Sequence, residues 1–220
     1  MAAIAAPERG KTKEDGSSAA EARSRLYLLL SRAVSFPERD FHTHALSGDW
    51  LREVAAACAA LPYRLAPGAP SRWRLPIDYD DFQSEYIRLF EVGARGRAPC
   101  PLNSGHHTRD RLRTMEELVR FYNFFGLKLA PGHMPDHASV ELEFMHYLTS
   151  KQDDEGEDKA SYLLAQRDFL DRQLLNWWPL LAAALKQERT LSFYKSLSAF
   201  GLQFLQAERK YLGRVIATDT

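Results

Sequence analysis

The sequence predicts an all-α protein, a single-domain helical bundle of about seven or eight helices. Apolar residues recur at spacings of three and four along most of the chain, as they do on one face of a helix. No stretch shows a convincing run of the alternation that is typical of strands. Polar capping residues, prolines and glycines stand where such helices would begin and end. Helices of this kind bury their apolar stripes against each other, which makes a bundle the expected architecture.

The first boundary is expected near residue 18. Residues 1–17 are rich in Ala, Lys, Glu, Gly and Ser, so they are predicted to be a disordered tail ahead of an all-helical domain at 18–220. Ser18 and Glu21 form an S-x-x-E capping box at the start of the first helix. That helix should end before Pro37, because the residue before a proline avoids the α region.

Three helices are predicted in the middle of the chain, with loops rich in proline and glycine between them. Asp49 is expected to cap the second helix, which ends at Pro62. Asp78 is expected to cap the third helix. Thr108 is predicted to open the fourth, and Gly126 to close it as a C-cap.

The remaining helices are predicted in the last third of the chain. Asp136 is expected to cap the next helix, and the acidic segment 152–158 to be a solvated loop. Pro179 should separate or kink two helical stretches, because proline removes a backbone donor inside a helix. Thr190 is expected to cap the last helix.

Composition and charge argue against several classes of function. The chain has 220 residues, with 29 Lys plus Arg and 29 Asp plus Glu, so its formal net charge is zero. This balance lacks the basic footprint of a protein that binds nucleic acid. The apolar run 177–185 is far shorter than the roughly 20 residues that a membrane span needs. Two cysteines and no visible export signal lead us to expect a cytoplasmic protein.

Common motifs for enzyme chemistry are missing from the sequence, which contains no G-x-G-x-x-G, G-x-x-x-x-G-K-[ST], C-x-x-C or G-x-S-x-G. We therefore predict neither a cofactor nor catalysis. Glu143 and His146 come nearest to metal-ligand spacing, since residues at i and i+3 share a helix face. Helical di-iron sites use that pair twice, whereas it occurs once here. A helical metalloprotein or enzyme using this face is the alternative hypothesis.

Four stretches, taken in order, combine acidic, aromatic and small residues at characteristic spacings. They are Glu85-Tyr86-Ile-Arg-Leu89-Phe90 with the loop of Pro99, Pro101 and Ser104, Met115 to Leu127, Asp136-His137 with Glu141-Leu-Glu143-Phe144-Met145, and Phe169 to Trp178. Together they resemble the TorD/DmsD/NarJ family, cytoplasmic chaperones of molybdopterin-containing redox enzymes. The resemblance covers roughly residues 20–212. The family loop often has a different sequence after the serine, where this chain has Gly105 and His106.

The resemblance implies a function and a partner. Family members bind the twin-arginine leader of a molybdoenzyme catalytic subunit, or the immature subunit itself, and delay export until the molybdenum cofactor is inserted. The implied partner is the catalytic subunit of an oxidoreductase of the dimethyl sulfoxide reductase family, such as a dehydrogenase or a chlorate or selenate reductase. Members are monomers or dimers, so a homodimer stays open. Some are proposed to bind guanine nucleotide or the molybdenum cofactor, and this chain has no phosphate loop.

A receptor for such a leader needs carboxylates beside an apolar groove, because the leader presents two arginines and then an apolar stretch. The family's motif positions supply both kinds of residue. The predicted leader-binding residues are Glu85, Tyr86, Leu89, Phe90, Asp136, His137, Glu141, Glu143 and Phe144. For each apolar member, a place in the core is the alternative interpretation.

Overall fold

A computed structural model describes residues 4–5, 19–92, 96–154, 156 and 158–218 of the protein. This part of the chain contains nine α-helices and two very short strands. The helices are α1 (Ala19–Val34), α2 (Arg39–Leu46), α3 (Asp49–Ala59), α4 (Tyr79–Tyr86), α5 (Arg111–Phe124), α6 (Ala138–Lys151), α7 (Lys159–Phe169), α8 (Leu175–Gln187) and α9 (Ser192–Thr218). The strands are β1 (Ile4–Ala5) and β2 (Lys128–Leu129).

The helices surround one continuous apolar core. Helices α1 and α6 pack along each other at its centre, and α8 packs against α9. Helix α3 covers α1, while α7 lies against both α6 and α9. No helix in the described ranges is long and apolar enough to cross a membrane. The predicted all-α bundle is confirmed.

The helix irregularity expected at Pro179 occurs several residues earlier in the chain. Helix α7 leads through a π turn, Leu170–Leu174, directly into α8. Residues 159–187 therefore form one continuous helical segment, so the nine helices described make up eight such segments. Pro179 lies inside α8 and does not separate two helices.

Two of the predicted helix ends are confirmed. The carboxylate of Asp78 accepts hydrogen bonds from the backbone N–H groups of Asp80 and Asp81, at 2.8 and 3.0 Å, and so caps α4. Gly126 follows α5 with φ of 71°, a left-handed conformation that glycine adopts without strain. Ser18, the start of the predicted capping box, lies outside the described residues.

Four other predicted caps are wrong, each by one or two residues. Asp49 is already the first residue of α3, and Gly48 precedes it as N-cap. Helix α5 is capped by Asp110 rather than Thr108. Helix α6 is capped by His137 rather than by its neighbour Asp136. Thr190 lies two residues before the start of α9, and its hydroxyl donates to Glu85. In these last two cases a contact with another part of the chain takes the side chain away from the helix end.

Most of the predicted tail lies outside the described residues, with Ile4 and Ala5 as the exception. These two residues form β1 and pair antiparallel with β2, in the register Ile4 to Leu129 and Ala5 to Lys128. Ile4 is half-buried and packs against the apolar core. The structure therefore has a strand at these two residues, which belong to the range 1–17 that the sequence predicts to be disordered.

Arg23 is fully buried and joins four parts of the bundle. Its guanidinium donates to Glu208 of α9 at 2.7 and 2.9 Å. It also donates to Gln166 of α7 at 2.6 Å and to Gln152, which follows α6, at 3.2 Å. Burial alone would lower the pKa of Arg23, but the paired carboxylate of Glu208 raises it above its usual value. The charge of Arg23 is thus compensated inside the core.

Two glycines of α9 offer a matched test of helix packing. A Cβ on Gly201 would lie 2.5 Å from the buried ring of Trp178, so Gly201→Ala must displace that ring. We expect this change to lower the free energy of unfolding by about 1–3 kcal/mol. Gly213→Ala meets only the guanidinium end of the Arg209 side chain, at 3.2 Å, and should raise the free energy of unfolding by up to about 1 kcal/mol through helix propensity. Urea titration of both variants checks the pair, and a stabilising Gly201→Ala would contradict the packing described here.

Candidate functional site

The loop 100–107 joins the motif stretches that the sequence singled out. Helix α4 widens at its end into a π turn, Ile87–Glu91, and the carbonyl of Leu89 accepts a hydrogen bond from the N–H of Cys100 at 2.9 Å. Further along, the N–H of Ser104 donates to the carbonyl of Asp136 at 2.7 Å. The backbone of the loop is therefore held between the end of α4 and the start of α6.

Asp136 is fully buried beneath this loop. Its Oδ1 accepts a hydrogen bond from Nδ2 of Asn103 at 2.9 Å. Its Oδ2 has no hydrogen-bond partner among the described residues, and Nε of Arg111 lies 3.5 Å away from it. The Arg111 side chain is 41% exposed, so it stands between the buried carboxylate and solvent.

Gly105 allows the loop to approach Asp136 this closely. A Cβ at position 105 would lie 2.8 Å from Oδ2 of Asp136 and 2.5 Å from Cγ of Arg111. Any larger residue would have to displace one of these groups. The glycine that departs from the common family loop is thus matched to its surroundings in this chain.

Glu141 lies one turn into α6 and is also fully buried. Its Oε2 accepts a hydrogen bond from Nε1 of Trp177 at 3.0 Å, which brings in the fourth motif stretch. Burial raises the pKa of Glu141 to about 8, and the negative charge of Asp136 adds to the effect, while Ser104 and Trp177 oppose it. Glu141 therefore holds its proton at neutral pH. We call Asn103, Ser104, Asp136 and Glu141 the buried acidic cluster.

Two histidines border the buried acidic cluster. Nδ1 of His137 accepts a hydrogen bond from the N–H of Ser139 at 3.2 Å, and burial lowers the pKa of His137 to about 4, so the ring is neutral. His107 donates from Nε2 to the carbonyl of Pro101 at 2.9 Å and stacks on Trp177 with ring centroids 5.5 Å apart. His107 is half-buried and packs beside the cluster through Trp177, the hydrogen-bond partner of Glu141.

The apolar residues predicted for the leader lie in the core, on α4, on the π turn that follows it and on α6. Tyr86 is buried and donates from its hydroxyl to the carbonyl of Val34 at 3.1 Å. Leu89 and Phe90 are buried beside it, and Phe144 packs on other aromatic rings of the core. In the described structure these residues support the position of α4 and α6 and do not line an open groove.

Glu85 lies apart from the buried acidic cluster and is already compensated. Both of its oxygens accept hydrogen bonds from Arg88, at 2.7 and 3.0 Å, and Thr190 donates to one of them. Partial burial opposes ionisation, but these donors outweigh it and hold the pKa of Glu85 below its ordinary value. Glu85 ties α4 to the segment before α9.

The Glu143 and His146 face of α6 is occupied by contacts within the protein. Glu143 accepts from the N–H of Ile4 at 3.3 Å and from the hydroxyl of Ser31 at 3.5 Å. Nδ1 of His146 lies 2.7 Å from the hydroxyl of Ser24. Across the described ranges, no three His, Cys, Asp or Glu side chains are grouped as metal ligands. Nothing in these contacts supports the metalloprotein alternative.

The raised pKa of Glu141 predicts a specific pH dependence of stability. Between pH 4.5 and about 8, the folded protein keeps a proton on Glu141 that the unfolded chain releases, so this group's contribution falls as pH rises through that window. Glu141→Gln mimics the protonated acid, so the part of the free energy of unfolding that depends on this group no longer falls as pH rises. We expect the variant to match the wild type at pH 5 and to exceed its free energy of unfolding by about 1–3 kcal/mol at pH 8.5.

Urea titrations at the two pH values measure this difference. Glu116→Gln is the matched control, because Glu116 lies on the surface of α5 with 66% of its side chain exposed. A Glu141→Gln variant that is equally destabilised at both pH values would show that the carboxyl group is ionised in the fold.

Comparison with known proteins places the chain among the assembly chaperones of redox enzymes. It is 33% identical over 201 residues to the perchlorate reductase assembly chaperone protein of Dechloromonas aromatica (strain RCB), covering 84% of this chain and 88% of that one. It is 33% identical over 190 residues to the dimethyl sulfide dehydrogenase assembly chaperone protein of Rhodovulum sulfidophilum, covering 80% and 74%. It is 30% identical over 143 residues to the nitrate reductase molybdenum cofactor assembly chaperone NarJ of Escherichia coli (strain K12), covering 63% and 58%.

The family profile described as "Nitrate reductase delta subunit" matches residues 50–183. The chain belongs to this family, and its resemblance to the TorD/DmsD/NarJ chaperones is confirmed. The matched range contains the whole buried acidic cluster, whereas β1, α1 and α9 lie outside it. The relatives are named for assembly and not for catalysis, which supports a chaperone role for the chain.

Proposed function

We propose that the protein is a cytoplasmic chaperone that binds the twin-arginine leader of the immature catalytic subunit of a molybdenum oxidoreductase. It holds that subunit while the molybdenum cofactor is inserted and so delays export. The names of its relatives support a client of this class, since they assemble a perchlorate reductase, a dimethyl sulfide dehydrogenase and a nitrate reductase. We place the contact with the leader at the buried acidic cluster.

The observation that carries this placement is the buried Oδ2 of Asp136, which has no hydrogen-bond donor among the described residues and only a 3.5 Å ion pair with Arg111. A buried carboxylate oxygen without a donor costs the protein its lost hydration, roughly 1–3 kcal/mol or more for a charged group. A guanidinium group supplies two parallel N–H donors that match a carboxylate. An arginine of the leader would therefore complete a contact that the fold leaves unfinished.

Arg111 marks the route by which that arginine reaches Asp136. Its Nε lies 3.5 Å from Oδ2 of Asp136, longer than a direct charged hydrogen bond of about 2.7–2.9 Å. Because the Arg111 side chain is 41% exposed, it can move into solvent when another donor takes its place at Asp136. A client arginine with two hydrogen bonds would displace Arg111 without disturbing the helices.

Co-expression of the protein with its client tests the proposed function. The client is the molybdoenzyme subunit found by mass spectrometry in a pull-down from the native host. We expect the tagged protein to capture the cofactor-free subunit with its leader, and to release it once the cofactor is loaded. Capture that is unchanged when the leader is deleted would contradict leader binding, and co-purification with the mature enzyme would indicate a permanent subunit.

A further inference from the structure

The two short strands form a contact that neither the family motifs nor the bundle core requires. Within the residues that the structure describes, β1 and β2 are the only strands, so β2 pairs with the N-terminal residues of its own chain. Strand β2 belongs to the connector between α5 and α6, next to the core. Its edge is thus a place where an extended backbone already binds.

Ile4 is held there in three ways. Its backbone pairs with Leu129, its N–H donates to Oε2 of Glu143 at 3.3 Å, and its side chain packs half-buried against the core. Two of these contacts involve only the backbone of the incoming segment, so they accept many sequences, while the third selects an aliphatic side chain. The site therefore recognises an extended segment that carries an apolar residue.

Its position on α6 connects this contact with the buried acidic cluster. Asp136 directly precedes the cap of α6, and Glu143 lies nearly two turns further along the helix. At 1.5 Å per residue the two positions are about 10 Å apart along the axis, a distance that about three extended residues span. One extended peptide with an arginine followed closely by an apolar residue could reach both.

The N-terminal segment of the chain is bound weakly enough for another peptide to displace it. A pairing of only two residues on each strand is marginal by itself. The segment belongs to the same chain as β2, so its binding is intramolecular and has an effective concentration on the order of mM. The segment can therefore occupy the site when no other peptide is present and still yield to one that binds at a second point.

We infer that the edge of β2, together with Glu143, is a strand-addition site that the N-terminal segment occupies in the free chaperone and an extended apolar part of the client leader takes over. This inference rests on the proposed function. The N-terminal segment then acts as a competitor that lowers the affinity for the leader.

Titration of the client's leader peptide into full-length variants tests the inference. Ile4→Pro removes the N–H that Glu143 accepts and prevents strand pairing, whereas Ile4→Val keeps the N–H and an aliphatic side chain. If the segment occupies the site about 90% of the time, its loss should tighten leader binding about tenfold in Ile4→Pro. Ile4→Val should bind like the wild type. A synthetic peptide of residues 1–12, added to Ile4→Pro, should compete with the leader.

Several results would overturn the inference. Equal leader affinity of the wild type and Ile4→Pro would show that the N-terminal segment does not compete with the leader. The proposed function would be unaffected by that result. Failure of the 1–12 peptide to compete would show that the leader binds elsewhere. A wild-type dimer that becomes a monomer in Ile4→Pro, measured by light scattering, would mean that β1 is exchanged between two copies. If neither the wild type nor any variant bound the leader, both the proposed function and the inference that rests on it would be refuted.

Discussion

Replacing Arg23 by methionine is expected to lower the free energy of unfolding by about 3–5 kcal/mol, because it leaves the Glu208 carboxylate buried and unpaired. Glu208→Leu should cost a similar amount for the opposite reason, since the buried guanidinium loses its counter-charge. Both side chains are fully buried, so water cannot replace the missing partner. Urea or guanidinium titration followed by far-ultraviolet circular dichroism measures the loss.

The double variant and a surface pair serve as controls for this prediction. Arg23→Met combined with Glu208→Leu removes both charges, so it should be more stable than either single variant. Arg120→Ala breaks an exposed pair with Glu116 on α5 and should change stability by no more than about 1 kcal/mol. If Arg23→Met cost as little as Arg120→Ala, the buried ion pair would not contribute to joining α1 to α9.

Asp136→Asn is expected to weaken binding of the client leader by about 10- to 100-fold, because hydrogen bonds to charged groups contribute about 1.5–3 kcal/mol. The amide oxygen can still accept the hydrogen bond from Asn103, so the local structure should persist. The loss would then report the charge of Asp136 and not the fold. Calorimetric titration of the leader peptide, with thermal melting of the same samples, separates the two effects.

The matched control for this variant is Glu116→Gln, which removes one carboxylate from the exposed face of α5. It should leave leader affinity nearly unchanged, apart from a small effect of net charge that salt screens. An equal loss of affinity in both variants would indicate attraction by overall charge instead of recognition at the buried acidic cluster.

All the described α-helices except α2 were predictable, because apolar spacing is a local signal, whereas the caps depend on distant contacts. Asp78 caps α4 as expected because its side chain stays beside its own helix. Asp136 has the same residue type in a similar position, but Asn103 engages its carboxylate from another loop, and His137 becomes the cap. A sequence shows which residues can cap a helix and cannot show which of them a tertiary contact removes.

The partners of the candidate site were hidden for a related reason. The motifs pointed to the start of α6, but they did not predict that Glu141 lies inside the core against Trp177. Arg111 and Gly105 were missed because their roles arise only where the loop meets α6. Strand β1 was missed as well, since two residues are too few to show alternation.

Pairing of a client-leader arginine with Asp136 is tested most directly by a double-mutant cycle. Leader peptides with both arginines intact or both changed to alanine are titrated into the wild type and into Asp136→Asn. We predict that the arginine peptide loses about 10- to 100-fold in affinity on Asp136→Asn, while the alanine peptide binds both proteins equally and weakly. Equal losses for the two peptides would contradict this pairing, because the arginines would then be recognised without Asp136.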